Sequence, residues 1–371
     1  MILYTLFSLS LLLLILFNKG IKEKSYLFLS LFVVIMYWGL SYIDVPDTQD
    51  YQYVYDHTNP RTNPGSSVAT HFEVGFLYIT WFFKKIGADY YLFQLFLFTI
   101  ESILVVMGIK KLGVAYRDIG SIICLLGFWL PIVLMGALRQ GIAIALFVYS
   151  LHFLLEKKYY YYVLLVGVSF FFHKSAVFLL VVPLWYLFTN IFIEKRIVLL
   201  VIFVVVNILH FSGFTLSSSF DGIFSLFISD VSEQDLSLAN YGVYSETSVS
   251  ESNFGLLKLL EIDFCYVIAL LIHPEKDNKG FHLLSSLLLI YLILNMLVGG
   301  IIVHRISYYL QIPYYLILIK SLMSLISDFN VKRYGQYAFT YMYVFITCLI
   351  FSKPFSSAAI HEYHLLDALG L

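Results

Sequence analysis

The chain has 371 residues, 60% of them hydrophobic and 13% charged, with a mean hydropathy of +0.84 and a formal net charge of -1. A soluble domain carries about 25% charged residues, so the composition excludes one and points to an all-α, polytopic integral membrane protein. The near-zero charge gives no reason to expect nucleic acid among its partners.

Residues 2–17 have the length of a signal peptide but lack its positive leading region, and Lys19, Lys22 and Lys24 follow the segment instead. The positive-inside rule makes this an uncleaved helix with its N-terminus outside. Residues 26–43 return outward, so residues 44–88 are expected to form an extracytoplasmic loop with a surface helix.

This loop is the least membrane-like part of the first half. It reads Asp44-Val45-Pro46-Asp47-Thr48-Gln49-Asp50-Tyr51, continues through Tyr53 and Tyr55, and closes at His71-Phe72-Glu73-Val74-Gly75. Any one acid of the Asp44–Asp50 run also reads as a turn former or a helix cap. Residues 72–85 are apolar but short, and end in Lys84-Lys85. Were they to cross, Lys110, Lys111, Arg117, Lys157, Lys158, Lys195 and Arg196 would all lie outside, against the charge rule. A surface or re-entrant helix avoids this.

Further spans are predicted at 89–109, 119–137, 140–156, 160–172, 175–191, 197–211, 256–273, 281–299, 305–324 and 335–352. Residues 212–255, acidic and free of Lys and Arg, form a large extracytoplasmic loop. A crossing needs roughly 20 residues, so the pair flanking His173-Lys174 is short, and the whole is one membrane domain of about 12 helices. Cys124, Cys265 and Cys348 lie in apolar segments without pairable spacing, and the histidines lack zinc spacing, so no metal is expected.

Three polar groups interrupt these spans on the outer side: Arg139-Gln140, His173-Lys174-Ser175 and His304-Arg305, with Tyr308 just beyond. A charge at a helix centre costs roughly 2.5–3.5 kcal/mol on insertion scales. Arg139, Lys174 and Arg305 are fixed cations, and an Arg fork suits phosphate oxygens. Asp44, Asp47, Asp50 and Glu73 are candidate bases or hydroxyl acceptors, and Tyr51 and its neighbours offer faces for sugar rings. Together they suit a lipid-linked sugar phosphate. Bland alternatives stand beside each: Arg139 as a snorkelling residue, His173-Lys174 as a polar turn, Arg305 as the structural partner of Glu261 or Asp263.

The ordered set Pro46-Asp47-Thr48 with Tyr51, Glu73 with Gly75 and Phe76, Leu138-Arg139-Gln140 with Ala143, Phe172-His173-Lys174-Ser175-Ala176, and Arg305 with Ser307 and Tyr308 resembles the EpsG family of bacterial membrane proteins. These are Wzy-like polymerases of exopolysaccharide and capsule repeat units. One departure is Val74, where the family usually has proline before the glycine. The resemblance implies a GT-C-like or Wzy-like bundle in the bacterial plasma membrane, joining undecaprenyl-diphosphate-linked oligosaccharides at the extracytoplasmic face. It implies no cofactor, and a flippase and a chain-length regulator as pathway partners. It also implies catalytic roles for Asp47, Glu73, Arg139, His173 and Arg305, and substrate contacts for Asp50, Tyr51, Gln140, Lys174, His304 and Tyr308. A GT-C glycosyltransferase and a lipid-linked saccharide flippase are the competing readings.

Overall fold

The computed structural model describes residues 10–11, 13–15, 20–39, 46–64, 72–114, 116–126, 134, 137–192, 195–214, 216, 256–271, 279–298 and 300–327. Their regular structure is all helical, joined by turns, with no strand among the described residues. Three helices among them are long and apolar enough to cross a membrane: Tyr90–Lys111, Leu138–Leu155 and Lys279–Val298. The span predicted at 335–352, and nearly all of the 212–255 loop, lie outside the described residues.

The chain divides into two compact units, one of Met1–Val177 with Leu322–Leu371 and one of Phe178–Ser321. In the first unit, α1 (Glu23–Gly39) packs on α5 (Tyr116–Leu126), and α4 (Tyr90–Lys111) packs on α6 (Leu138–Leu155). The α6 helix also packs on α7 (Tyr159–Phe170). Lipid is as apolar as leucine, so close packing rather than water exclusion must hold such helices together. Gly108 shows how. A Cβ there would lie 2.7 Å from the Val148 carbonyl oxygen and 2.9 Å from Tyr149 Cα, so the α4 and α6 backbones meet with no side chain between them.

Part of the expected outer loop is helical. Residues Pro46–His57 form α2. Pro46 stands at its first position, where the fixed backbone angle suits a helix start and the missing N–H costs nothing. Tyr51, Val54 and Tyr55, spaced i, i+3, i+4, give the helix a buried face. The short apolar segment that follows is α3 (Val74–Lys85), and its 12 residues span about 18 Å. Likewise α7 has 12 residues and is followed by a 3-10 helix, Lys174–Val181, running into α8 (Val182–Thr189). The pair flanking His173 is indeed short.

In the second unit, α9 (Arg196–Phe211), α10 (Leu256–Leu271) and α11 (Lys279–Ile293) are followed by a π turn, Leu294–Val298, and by α12 (Gly300–Ser327). Trp185 Nε1 donates to the Ser286 carbonyl at 2.9 Å and joins α8 to α11.

Replacing Gly108 by Val should lower the thermal midpoint of the detergent-purified protein by several degrees, because only backbone atoms stand opposite it. An unchanged midpoint would show that α4 and α6 can separate freely.

Candidate functional site

Glu73 stands at the start of α3 in an extended conformation, yet its side chain caps nothing in its own helix. It turns away to two other segments. Arg139 Nη1, in the first turn of α6, donates to Glu73 Oε2 at 2.5 Å, and the backbone N–H of Lys174 donates to Oε1 at 3.2 Å. The carboxylate therefore caps the 3-10 helix that opens at Lys174 and neutralises Arg139 at once. Both partners are well shielded, with side-chain exposures of 17% for Arg139 and 9% for Glu73.

Aromatic rings complete the setting. The Arg139 guanidinium carbon lies 4.3 Å from the Phe72 ring centre and 5.6 Å from that of Tyr51. Such cation–π contacts are worth about 0.5–2 kcal/mol, more when desolvated. Tyr51 in turn packs edge-on to Phe72 and against Phe76, within a cluster that includes Tyr55, Phe83, Phe93, Leu138 and Ile142. Tyr51 is thus a buried wall of the arginine site rather than an open sugar platform. Arg139 Nε–H remains buried without an acceptor among the described residues.

The first turn of α3 is locked to the end of α7. Gly75 N–H donates to the Phe171 carbonyl at 2.9 Å, joining the donor-rich end of one helix to the acceptor-rich end of another. A Cβ on Gly75 would lie 2.7 Å from that same oxygen, so only glycine allows the approach. Beside this junction His173 is buried, and its Nδ1 lies 2.6 Å from Ser175 Oγ. The Lys174 side chain is exposed.

The loop helix is fastened from its far end. The Tyr55 hydroxyl donates to the Ala88 carbonyl at 2.8 Å, and burial pushes this phenol up to about 12, so it stays a donor across the physiological range. Trp81 Nε1 donates to Thr62 O at 2.8 Å, holding the turn after α2 against α3.

The structure therefore gathers Tyr51, Glu73, Arg139 and the His173–Lys174 turn in the first unit. Gln140 is buried on α6, and Asp50 is exposed on α2. His304, Arg305 and Tyr308 lie on α12. The side chains of Asp47, Glu261, His304 and Arg305 fall outside what is described, as do Asp44 and His71 altogether. Sequence reasoning passed over Phe72, whose place beside Glu73 was the available signal. It also passed over Glu101, fully buried on α4, with no hydrogen-bond partner for either carboxyl oxygen among the described residues and Oε1 3.0 Å from where a Gly141 Cβ would be. Among the described residues no group of three His, Cys, Asp or Glu could hold a metal ion.

The family model described as the EpsG family matches residues 24–365. The chain belongs to the EpsG family. Membership over nearly the whole length, with its long apolar helices, makes it a membrane protein of polysaccharide biosynthesis. No curated protein and no solved structure matches the chain. Among the residues quoted for the EpsG resemblance, hydrogen bonds tie Glu73 to Arg139 and to Lys174.

Removing one partner of a shielded ion pair costs about 3–5 kcal/mol. Glu73→Ala should accordingly lower the thermal midpoint much more than Glu73→Gln, which still offers an acceptor to Lys174 N–H and Arg139. Equal midpoints for the two variants would show that the carboxylate is not the tie.

Proposed function

We propose that this EpsG-family protein polymerises oligosaccharide repeat units carried on undecaprenyl diphosphate, at the extracytoplasmic face of the bacterial plasma membrane. The reading rests above all on Arg139. Its guanidinium is pinned on one side by Glu73 and stacked on Phe72, while its Nε–H is a buried donor with no acceptor among the described residues. A buried donor left unmade costs about 1–3 kcal/mol, and an anionic oxygen would satisfy it. A leaving diphosphate supplies such an oxygen.

The chemistry follows. The hydroxyl of an incoming lipid-linked unit attacks the anomeric carbon of the growing chain's reducing-end sugar. A C–O bond forms, the bond to the diphosphate breaks, and the electron pair leaves on the phosphate oxygen. Arg139 meets the charge that develops there, and a donor already fixed in place needs no reorganisation to do so. The exposed Lys174 ammonium is a further cation for the same group, and the EpsG resemblance gives Arg305 of α12 a catalytic role as well.

Glu73 is better suited to hold Arg139 than to take a proton, since each of its oxygens already accepts a hydrogen bond. The hydroxyl proton then falls to Asp47 or to His173. The diphosphate is itself the activated leaving group, so neither a nucleotide sugar nor a metal is required.

In cells whose own copy is deleted, Arg139→Ala and Arg305→Ala should each abolish polymer and cause single lipid-linked repeats to accumulate, with membrane insertion unchanged. Arg139→Lys should also fail, because an ammonium cannot replace the planar fork. Normal polymer from the two alanine variants would sink the assignment. Purified protein that ladders lipid-linked repeats without added sugar donor would separate a polymerase from a single-sugar transferase.

A further inference from the structure

In the second unit a polar group stands in helices that are otherwise apolar. Asp263 is the eighth residue of α10 (Leu256–Leu271). A carboxylate so placed costs roughly 2.5–3.5 kcal/mol, yet its hydrogen-bond partner is a neutral amide: Asn207 Nδ2 of α9 donates to Asp263 Oδ1 at 3.2 Å. The other hydrogen of that amide goes to the Phe203 carbonyl, within α9 itself.

His210 lies three residues beyond Asn207, on the same helix face, and near enough to Asp263 to act on it electrostatically. Its Nδ1 lies 2.7 Å from the Met296 carbonyl. A carbonyl can only accept, so Nδ1 carries the hydrogen, and in the neutral ring Nε2 presents its lone pair. Met296 belongs to the π turn Leu294–Val298, and the neighbouring carbonyl of Leu297 takes Leu216 N–H. The π turn aims two successive carbonyls sideways at the α9 end, and the first of them sets the tautomer of His210. π turns are frequent at functional sites.

What remains unpaired is of one kind. With the His210 ring neutral, Asp263 Oδ2, Asn207 Oδ1 and His210 Nε2 are all acceptors, and none has a hydrogen bond from a described residue. The three side chains are half-buried, within reach of a ligand. A phosphate, itself an acceptor and anionic, would be repelled. A neutral molecule with several hydroxyl donors fits. Next to His210, at 5.5 Å between ring centres, Phe211 is 70% exposed and offers an apolar face beside the acceptors.

We propose that Asp263, Asn207 and His210, with the ring of Phe211, form a saccharide-binding subsite that accepts hydrogen bonds from the hydroxyls of one sugar. That the hydroxyl ligand is a sugar rests on the polysaccharide reading above. The grouping of three acceptors without a described donor does not.

The test uses the full chain in nanodiscs, with EDTA present. The probe is a set of oligosaccharide fragments released by mild acid from the polymer of the producing cells, and binding is followed by saturation-transfer NMR. The parent should bind. Asp263→Asn, which keeps the Asn207 bond, and His210→Phe should each weaken binding at least tenfold without moving the thermal midpoint. Parent-like binding by both variants overturns the subsite, as does a parent that binds no fragment or binds only when a divalent cation replaces EDTA. Loss of binding that tracks an equal loss of thermal midpoint in both variants assigns the cluster to structure and also overturns it. Asp263-dependent binding by a chain that makes no polymer would keep the subsite and remove the polymerase reading alone.

Discussion

One carboxylate organises the first unit. Glu73 joins α3 to the first turn of α6 through Arg139, and to the start of the 3-10 helix through the Lys174 backbone, residues 66 and 101 positions away in the chain. Each link satisfies a need that lipid surroundings make acute. A guanidinium must find a counter-charge, and an initial helical N–H must find an acceptor. A single side chain therefore links Arg139 directly to the His173–Lys174 turn.

The aromatic cluster makes that arrangement stiff. Tyr51 and Phe76 pack against Phe72, the ring on which the guanidinium rests, and Phe93 of α4 backs Phe76. Three short helical pieces, α2, α3 and the 3-10 helix, are thereby referred to the long helices α4 and α6. A site built from short pieces gains its precision from what they are packed against. The second unit uses another device. There a π turn redirects main-chain carbonyls toward α9, and the polar side chains arrange themselves around it.

Much of the helical layout was legible because apolar length is a strong signal. The segments predicted at 89–109 and 197–211 are found as Tyr90–Lys111 and Arg196–Phe211. The motif residues Glu73, Arg139 and Lys174 were legible too, because charge in an apolar sequence stands out. Their division of labour was not. Glu73 read as an acid with a free choice of roles, whereas the fold occupies both its oxygens. Tyr51 read as a sugar platform, but its position on the i, i+3, i+4 face of α2 buries it. The α2 helix itself was hidden, since Asp47, Thr48 and Asp50 look like turn residues until the buried stripe behind them is counted. Arg139 was placed between two helices. It stands instead inside the first turn of α6, a boundary shift of a residue or two that decides which way the side chain leaves the backbone.

The Gly75–Phe171 junction has a bearing on solvent. A helix that ends inside a membrane protein usually needs water, or a polar side chain, to take up its last carbonyls. Here the Phe171 carbonyl is met by the main chain of α3. The turn that carries His173 and Lys174 can thus stay dry without stranding that oxygen. In a dry recess the effective dielectric falls, and every interaction of Arg139 with a negative charge grows stronger in proportion. A missing methyl group at residue 75 would then govern how strongly an arginine on another helix can act.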